Sequence, residues 1–271
     1  MTASRKISLV LADVDGTLVN EQKVLTERAR SAVRRVRDAG IRFALTSGRP
    51  PLGMAMLLDA LDLDTPIAGF NGGLFIKPDR SILEQKTLTD AVAAEALDLI
   101  RKAGLDPWVY RGNDWIVGKA DGPHVKHEAW TVKFEPKVAA DVGARLDHVA
   151  KIVGVSDDFE KVRRCEADAR AAFVGRATAN RSQPYYLDVT HQNANKGAVV
   201  EFLSNHLGIP AVEIATIGDQ PTDVPMFKKS GFSIAMGNAP DEVKKLALAT
   251  TDSYNDEGFA KAMERLILGE S

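Results

Sequence analysis

Two carboxylates, Asp13 and Asp15, stand where a short apolar run stops: Ile7-Ser8-Leu9-Val10-Leu11-Ala12 is followed by Asp13-Val14-Asp15-Gly16-Thr17. A run of that kind reads as a buried strand, and open α/β proteins place their chemistry beyond the carboxyl ends of such strands. Gly16 gives the chain backbone freedom to turn there. Asp-x-Asp-Gly is also a turn composition and the start of a calcium loop, but that loop needs further oxygen ligands and a Glu in register. Thr17-Leu18-Val19 follows instead. A carboxylate at a strand end can act as a nucleophile, and a second one beside it as an acid or base.

The elements that must hold these groups follow from the pattern. Thr26 and Glu27 open a helix that stops at Gly40, and an apolar strand over 41–45 ends in Thr46-Ser47-Gly48-Arg49-Pro50. A helix over 51–61 leads to a strand near 66–70 that ends in Asn71-Gly72-Gly73. Strands ending in small polar residues and separated by helices predict a parallel sheet wound as βαβ units. The alternation returns after Asn195: a helix over 196–207, a strand over 212–217 ending in Gly218-Asp219, a helix from Thr222, a strand over 232–236 and a closing helix over 256–267. The middle differs. It shows hairpins around 77–80 and 111–114, helices from Thr89 to Gly104, near 138–146 and over 158–169, and strands near 151–155, 172–174 and 185–189. The expected fold is therefore α/β, a Rossmann-like core with a mostly parallel sheet and an inserted α+β cap. The division is core over 1–81, cap over 82–190 and core again over 191–271.

Bulk properties exclude several classes. The chain has 271 residues, 45% hydrophobic and 27% charged, with a formal net charge of −2. Lys and Arg are scattered, and the Arg30, Arg34, Arg35 and Arg37 cluster lies on a helix whose Ala29, Val33 and Val36 face inward, so no nucleic-acid footprint is expected. No segment is long enough for a membrane span, and the start, Met1 to Lys6, precedes too short an apolar run for a leader. Cys165 is the single cysteine, which rules out an internal disulfide and favours a reducing compartment. A cytoplasmic monomer or weak homodimer is the expectation.

Four strand or helix ends supply one chemical set: Asp13 and Asp15, Ser47, Lys196, and Asp219 with Asp223. Hydrolysis of a phosphate monoester needs such parts. A carboxylate attacks phosphorus and splits one hard step into two. A divalent cation and an ammonium offset the repulsion between anions, a hydroxyl orients the phosphoryl oxygens, and a second carboxyl protonates the leaving alcohol. Asp13, Asp219 and Asp223 ionised are balanced in charge by one Mg²⁺ with Lys196, provided that Asp15 enters protonated. All-oxygen ligands favour Mg²⁺ over zinc.

Asp13-Val14-Asp15-Gly16-Thr17, Thr46-Ser47-Gly48-Arg49, Asn71-Gly72-Gly73, Asn195-Lys196-Gly197, Gly218-Asp219 with Asp223, Ala235-Met236-Gly237-Asn238-Ala239 and the late Thr251-Asp252-Ser253 with Asp256-Glu257-Gly258 together resemble a haloacid dehalogenase superfamily phosphatase of the Cof-type, type IIB-capped branch. The resemblance spans essentially the whole chain. It implies Asp13 as nucleophile and Mg²⁺ ligand, and Asp15 as general acid/base whose backbone carbonyl also binds the metal. Ser47 would bond the phosphoryl group, Lys196 would neutralise it together with Asp13, Asp219 would ligate metal, and Asp223 would ligate or support. Gly48, Asn71, Gly72 and Asn193 would line the substrate entrance, Arg49 would either reach the substrate or form a structural ion pair, and Asn238 would satisfy a turn near the site. The family commonly has Asn where Thr222 stands, which leaves that position's role open. The implied substrate is a small phosphorylated metabolite, in particular a sugar phosphate. A phosphomutase of the same superfamily and a catalytically silent binding or regulatory module are the alternatives. His124 and His127, a possible ligand pair on a helix, lack a third partner, and Trp108, Tyr110, Trp115 and Trp130 read mainly as packing.

Overall fold

Alternation along the first strand builds the core in three layers. Residues 6–270 are described by the computed structural model; Met1 to Arg5, on which the leader reading draws, lie outside them. Strand β1 (Leu9–Asp13) turns Val10 and Ala12 to one side and Leu9 and Leu11 to the other. On the first side pack α1 (Glu27–Asp38) and α2 (Ala55–Leu61), and the neighbouring strand β2 (Arg42–Thr46) turns Phe43 and Leu45 to that side. Thr26 caps α1 by accepting from the Ala29 N–H, and Ala29, Ala32, Val33 and Val36 form its buried stripe. The expected helix over 51–61 is split, because Pro51–Met54 winds as a tighter 3₁₀ turn before α2. Strands β3 (Ile67–Gly69), β4 (Leu74–Ile76) and β5 (Ile82–Gln85) extend the same sheet, the last two antiparallel. The sheet thus keeps residues 82–85, and the expected division at 82 falls at the start of one of its strands.

The inserted segment folds on a second sheet. It contains α3 (Asp90–Lys102), β6 (Asp106–Arg111), β7 (Asp114–Val117), α4 (Val125–Val132), β8 (Lys137–Val138), β9 (Val149–Val155), α5 (Phe159–Ala172), β10 (Ala177–Gln183) and β11 (Tyr186–His191). Among the described residues the strands run in the order β10-β11-β9-β6-β7-β8. One face packs against α3 and α5 through Val109, Ile152, Leu187 and Val189. Trp108, Tyr110, Trp115 and Tyr186 face the other way and join the core cluster with α4. Two expectations fail here. The predicted helix at 138–146 is a two-residue strand and turns, since Val138 pairs in β8 with Val117. The predicted strand at 172–174 is the end of α5 and a turn, and the strand begins at Ala177.

The chain then returns through α6 (Lys196–Leu207), β12 (Ile214–Gly218), α7 (Val224–Lys229), β13 (Phe232–Ala235), α8 (Asp241–Lys244), β14 (Ala249–Thr250) and α9 (Gly258–Ala262). Val199, Val200 and Leu203 of α6 and Met226 and Phe227 of α7 close the third layer over Leu9 and Leu11. The closing helix predicted over 256–267 starts two residues later and widens into a π-helical turn over Met263–Ile267. The sheet order β14-β13-β12-β1-β2-β3-β4-β5 sets β1 between β12 and β2, so three strands deliver their carboxyl ends side by side. Among the described residues no helix is long and apolar enough to cross a membrane.

Candidate active site

Asp13 ends β1, Ser47 follows β2, and Asp219 follows β12, so the sheet register alone brings these three groups to one edge. The fourth, Lys196, is the first residue of α6, fixed there by Asn195, whose side chain accepts from the Ala198 N–H at 3.0 Å. Lys196 Nζ donates to Asp13 Oδ1 at 2.6 Å and to Asp223 Oδ1. Asp223 Oδ2 accepts from the backbone N–H groups of Asp219 and Gln220 at 2.9 and 2.8 Å. Asp219 accepts at Oδ1 from Thr17 Oγ1 at 3.2 Å and at Oδ2 from Gln220 Nε2 at 2.8 Å and Asn238 Nδ2 at 3.2 Å.

Among the described residues one group of carboxylates is arranged for a metal: Asp13, Asp219 and Asp223 each bring an oxygen within 4.8 Å of the others, all three buried. The pair His124 and His127 joins no such group. His124 precedes α4 in a left-handed conformation, bonds Asp157 at 2.8 Å and stacks on Tyr185. Burial, and then repulsion from Asp223 and Asp219, push Asp13 well above the usual carboxylate range despite Lys196. Burial and Asp223 raise Asp219 to about 6. Burial lowers Lys196, but Asp13 and Asp223 reverse that and leave it raised. Three carboxylates share one ammonium, and that excess of buried negative charge on hard oxygen donors fits a divalent cation. Both oxygens of Asp223 carry a bond to Lys196 or to backbone N–H groups, and those of Asp219 are held by Thr17, Gln220 and Asn238, so among the described residues Asp13 Oδ2 is the oxygen of the group that no protein donor holds. Gly16 keeps the space narrow: with φ at +78°, a Cβ there would stand 2.5 Å from Asp219 Oδ2.

Asp15 departs from expectation. Its carboxylate turns to Arg49, which holds it with Nε and Nη2 at 2.6 Å each, and to Lys23 Nζ at 2.7 Å. Burial would raise its pKa, but Arg49 and Lys23 outweigh burial and hold it at about 2. Asp15 is therefore ionised in this arrangement, against the protonated state that the charge balance assumes. Arg49 is likewise committed: besides Asp15 it donates from Nη1 to Gly53 O at 3.2 Å and to Thr131 O of α4 at 3.0 Å, tying core to cap. Of the two readings of Arg49, a reach to substrate and a structural ion pair, these bonds are the second.

The remaining expected positions divide. Ser47 is buried beside the cluster and its Oγ accepts from the Arg49 N–H at 3.1 Å. Gly48 and Asn71 line a cavity between core and cap. Asn71 and Gly72 both have positive φ, and at Gly72 a Cβ would meet Val199 at 2.8 Å. Asn193 is exposed and does not reach the cluster; its neighbours Ala194 and Asn195 line the cavity instead. Thr222 lines it too. Sequence reasoning missed Lys23 and Gln220 and undervalued Asn238, which also donates to Gly16 O at 2.9 Å. Lys23 lies in a loop with no motif around it, so only the fold shows its role.

Lys196→Met is expected to destabilise the fold by about 3–5 kcal/mol near pH 8, since it leaves buried carboxylates without a counter-charge. The loss shrinks as the pH falls toward 5, because carboxyls with raised pKa values bind protons more tightly folded than unfolded. Denaturant unfolding at the two pH values checks this, and a variant as stable as the wild type at pH 8 would remove the counter-charge role.

A family model described as haloacid dehalogenase-like hydrolase matches residues 10–263, and the chain belongs to that family. Within it the chain is a phosphatase of the Cof-type branch. It is similar to a 5-amino-6-(5-phospho-D-ribitylamino)uracil phosphatase of Bacillus subtilis, 26% identical with 96% of this chain and 98% of that one covered. It is also similar to a phosphoglycolate phosphatase of Methanobrevibacter smithii, 24% identical over 97% and 99% of the two chains. Its fold matches the crystal structure of a haloacid dehalogenase-like hydrolase from Bacteroides thetaiotaomicron with a TM-score of 0.88, at 30% identity, covering 96% of this chain and 100% of that one.

Proposed function

We propose that this chain hydrolyses the phosphomonoesters of small metabolites, sugar phosphates among them, through an aspartyl-phosphate on Asp13 and with Mg²⁺ as cofactor. The observation that carries the reading is the buried set in which Lys196 bridges Asp13 and Asp223 while Asp219 stands in the same cluster. Asp13 Oδ2, the oxygen that Lys196 leaves free, attacks phosphorus as the bond to the leaving oxygen breaks, and the alcohol departs with the proton that a protonated Asp15 gives it. Water then attacks the phosphoryl group, gives its proton to Asp15, and phosphate leaves with Asp13 restored. Ser47 and the neighbouring backbone N–H groups orient the phosphoryl oxygens, and Lys196 offsets their charge. Asp13 and Asp219, with Asp223 in support, would hold Mg²⁺, which supplies positive charge to the phosphoryl oxygens when bound.

Asp15 as found suits the second half better than the first. An ionised carboxylate accepts the proton of water at once. For Asp15 to donate to the leaving oxygen, its bonds with Arg49 and Lys23 must open and the carboxyl must take up a proton. The α4 contact of Arg49 puts that opening under the cap's influence. The names of the relatives span a ribityl phosphate and phosphoglycolate, a polyol and an acid, and both classes belong in an assay. The buried lone Cys165, its thiol pushed up to about 11 by burial, suits a reducing cytoplasm and takes no part.

The test is phosphate release from a panel of sugar and other small phosphomonoesters with Mg²⁺ and with chelator. Chelation is expected to lower the rate by about 10²-fold or more. Release that is indifferent to chelator would remove the metal from the proposal. Isomerised sugar phosphate without phosphate release would turn the reading to a phosphomutase.

A further inference from the structure

Between the core-facing side of the cap sheet and the strand ends of the core lies a cavity of about 340 Å³. Gly48, Asn71 and Thr222 line it from the core, and Lys151, Asp188 and Thr190 from the cap. Register explains the second trio. Thr190 pairs with Lys151 and Asp188 with Val153, and alternate residues of a strand share a face, so all three side chains look toward the core.

Lys151 and Asp188 are nearly buried, with 6% and 9% exposure, yet poorly satisfied. Lys151 Nζ stands 3.3 Å from Asp188 Oδ2 and 3.4 Å from Gly48 O, with the rings of Phe70 and Tyr110 at 5.4 and 5.0 Å. Asp188 Oδ1 is buried without a donor. A charged pair closed on itself draws in to about 2.7–2.9 Å, and buried charges need further hydrogen bonds for whatever the pair leaves over. This pair leaves over a carboxylate oxygen and part of an ammonium, beside a cavity next to the phosphatase site.

We propose that Lys151 and Asp188 are specificity residues that read hydroxyl groups on the leaving alcohol and turn away an alcohol carrying a second negative charge. This rests on the phosphatase reading of the adjoining site. The chemistry is selective because a hydroxyl both donates and accepts: its O–H donates a hydrogen bond to Asp188 and its oxygen accepts one from Lys151. A substrate carboxylate can accept from Lys151 but meets Asp188 as a like charge. The other cations on the cavity wall do not relieve that repulsion, since Arg170 and Arg181 are both held by Glu166, at 3.0 and 2.8 Å. Thr190 adds a further hydroxyl on the cap side of the cavity.

The experiment measures kcat/KM for D-ribitol 5-phosphate, 2-phosphoglycolate and p-nitrophenyl phosphate with the wild type, Asp188→Asn and Lys151→Gln. The ratio of the polyol to the acid substrate is expected to fall by about tenfold or more in Asp188→Asn, which keeps the shape and removes the charge. Lys151→Gln is expected to lower the polyol rate relative to p-nitrophenyl phosphate by a similar factor. An unmoved ratio in either variant overturns the assignment. Free ligands test the wild type alone: ribitol should inhibit p-nitrophenyl phosphate hydrolysis about tenfold more strongly than glycolate, and equal or reversed inhibition overturns the proposal even where a variant fails to fold. Wild-type enzyme inert toward all three substrates would instead overturn the phosphatase reading.

Discussion

Asp13→Asn is expected to lower phosphate release by about 10⁴-fold or more, because the amide retains shape and removes the attacking electron pair. The same substitution should raise the thermal midpoint of chelator-treated protein at pH 7–8. The two effects have one cause. Burial and two neighbouring carboxylates hold Asp13 well above its ordinary pKa, so the folded state binds its proton more tightly than the unfolded chain does. Stability from that group is present at low pH and falls as the pH rises through the folded value, and Asn removes the fall. The midpoint gain should therefore vanish at pH 4, where the carboxyl is protonated in the folded protein. A variant with activity within about tenfold of the wild type would discard Asp13 as nucleophile, since catalytic nucleophiles do not tolerate such loss. A variant less stable than the wild type at pH 8 would mean that the bond to Lys196 outweighs the repulsion.

The core and its chemistry were legible because both depend on short-range pattern. Strands that are apolar until a polar end, helices capped by Thr26, Thr89 and Asn195, and the carboxylates at those ends are all local signals, and the sheet order converts them into one site. The cap was legible only in kind. Its two false elements, at 138–146 and 172–174, arose where apolar residues are exposed: Val138, in the two-residue edge strand β8, and Val174, in a turn, are 58% and 78% exposed, so periodicity there carried no information about a buried face. For Arg49 a structural ion pair was one of two readings, but its partners were not legible. A residue after Ser47 and Gly48 has no local mark of being aimed at Asp15 and at a carbonyl eighty-two positions away. Lys151 and Asp188 escaped notice because a lone Lys and a lone Asp in separate strands mean nothing until antiparallel pairing puts them on one face. Long-range register was the missing quantity in each case.

The second large effect concerns Asp15. Asp15→Asn is expected to lower kcat for a sugar phosphate by about 10²–10⁴-fold, the range for losing a positioned acid or base. With p-nitrophenyl phosphate the result should look different. Nitrophenolate leaves without a proton, so Asp13 can still be phosphorylated, while the water attack that needs Asp15 as base becomes slow. The expected record is a burst of nitrophenol equal to the enzyme present, followed by slow turnover, with phosphate attached to the protein during the slow phase. Asp15 in this structure is held ionised by Arg49 and Lys23, the state that a base requires. Arg49→Met should free the carboxyl toward its ordinary pKa and move the acid limb of the pH profile upward, because protonation would then remove the base at a higher pH. Equal losses on both substrates without a burst would show that Asp15 serves the first step as much as the second, and that the bond with Arg49 opens before chemistry begins.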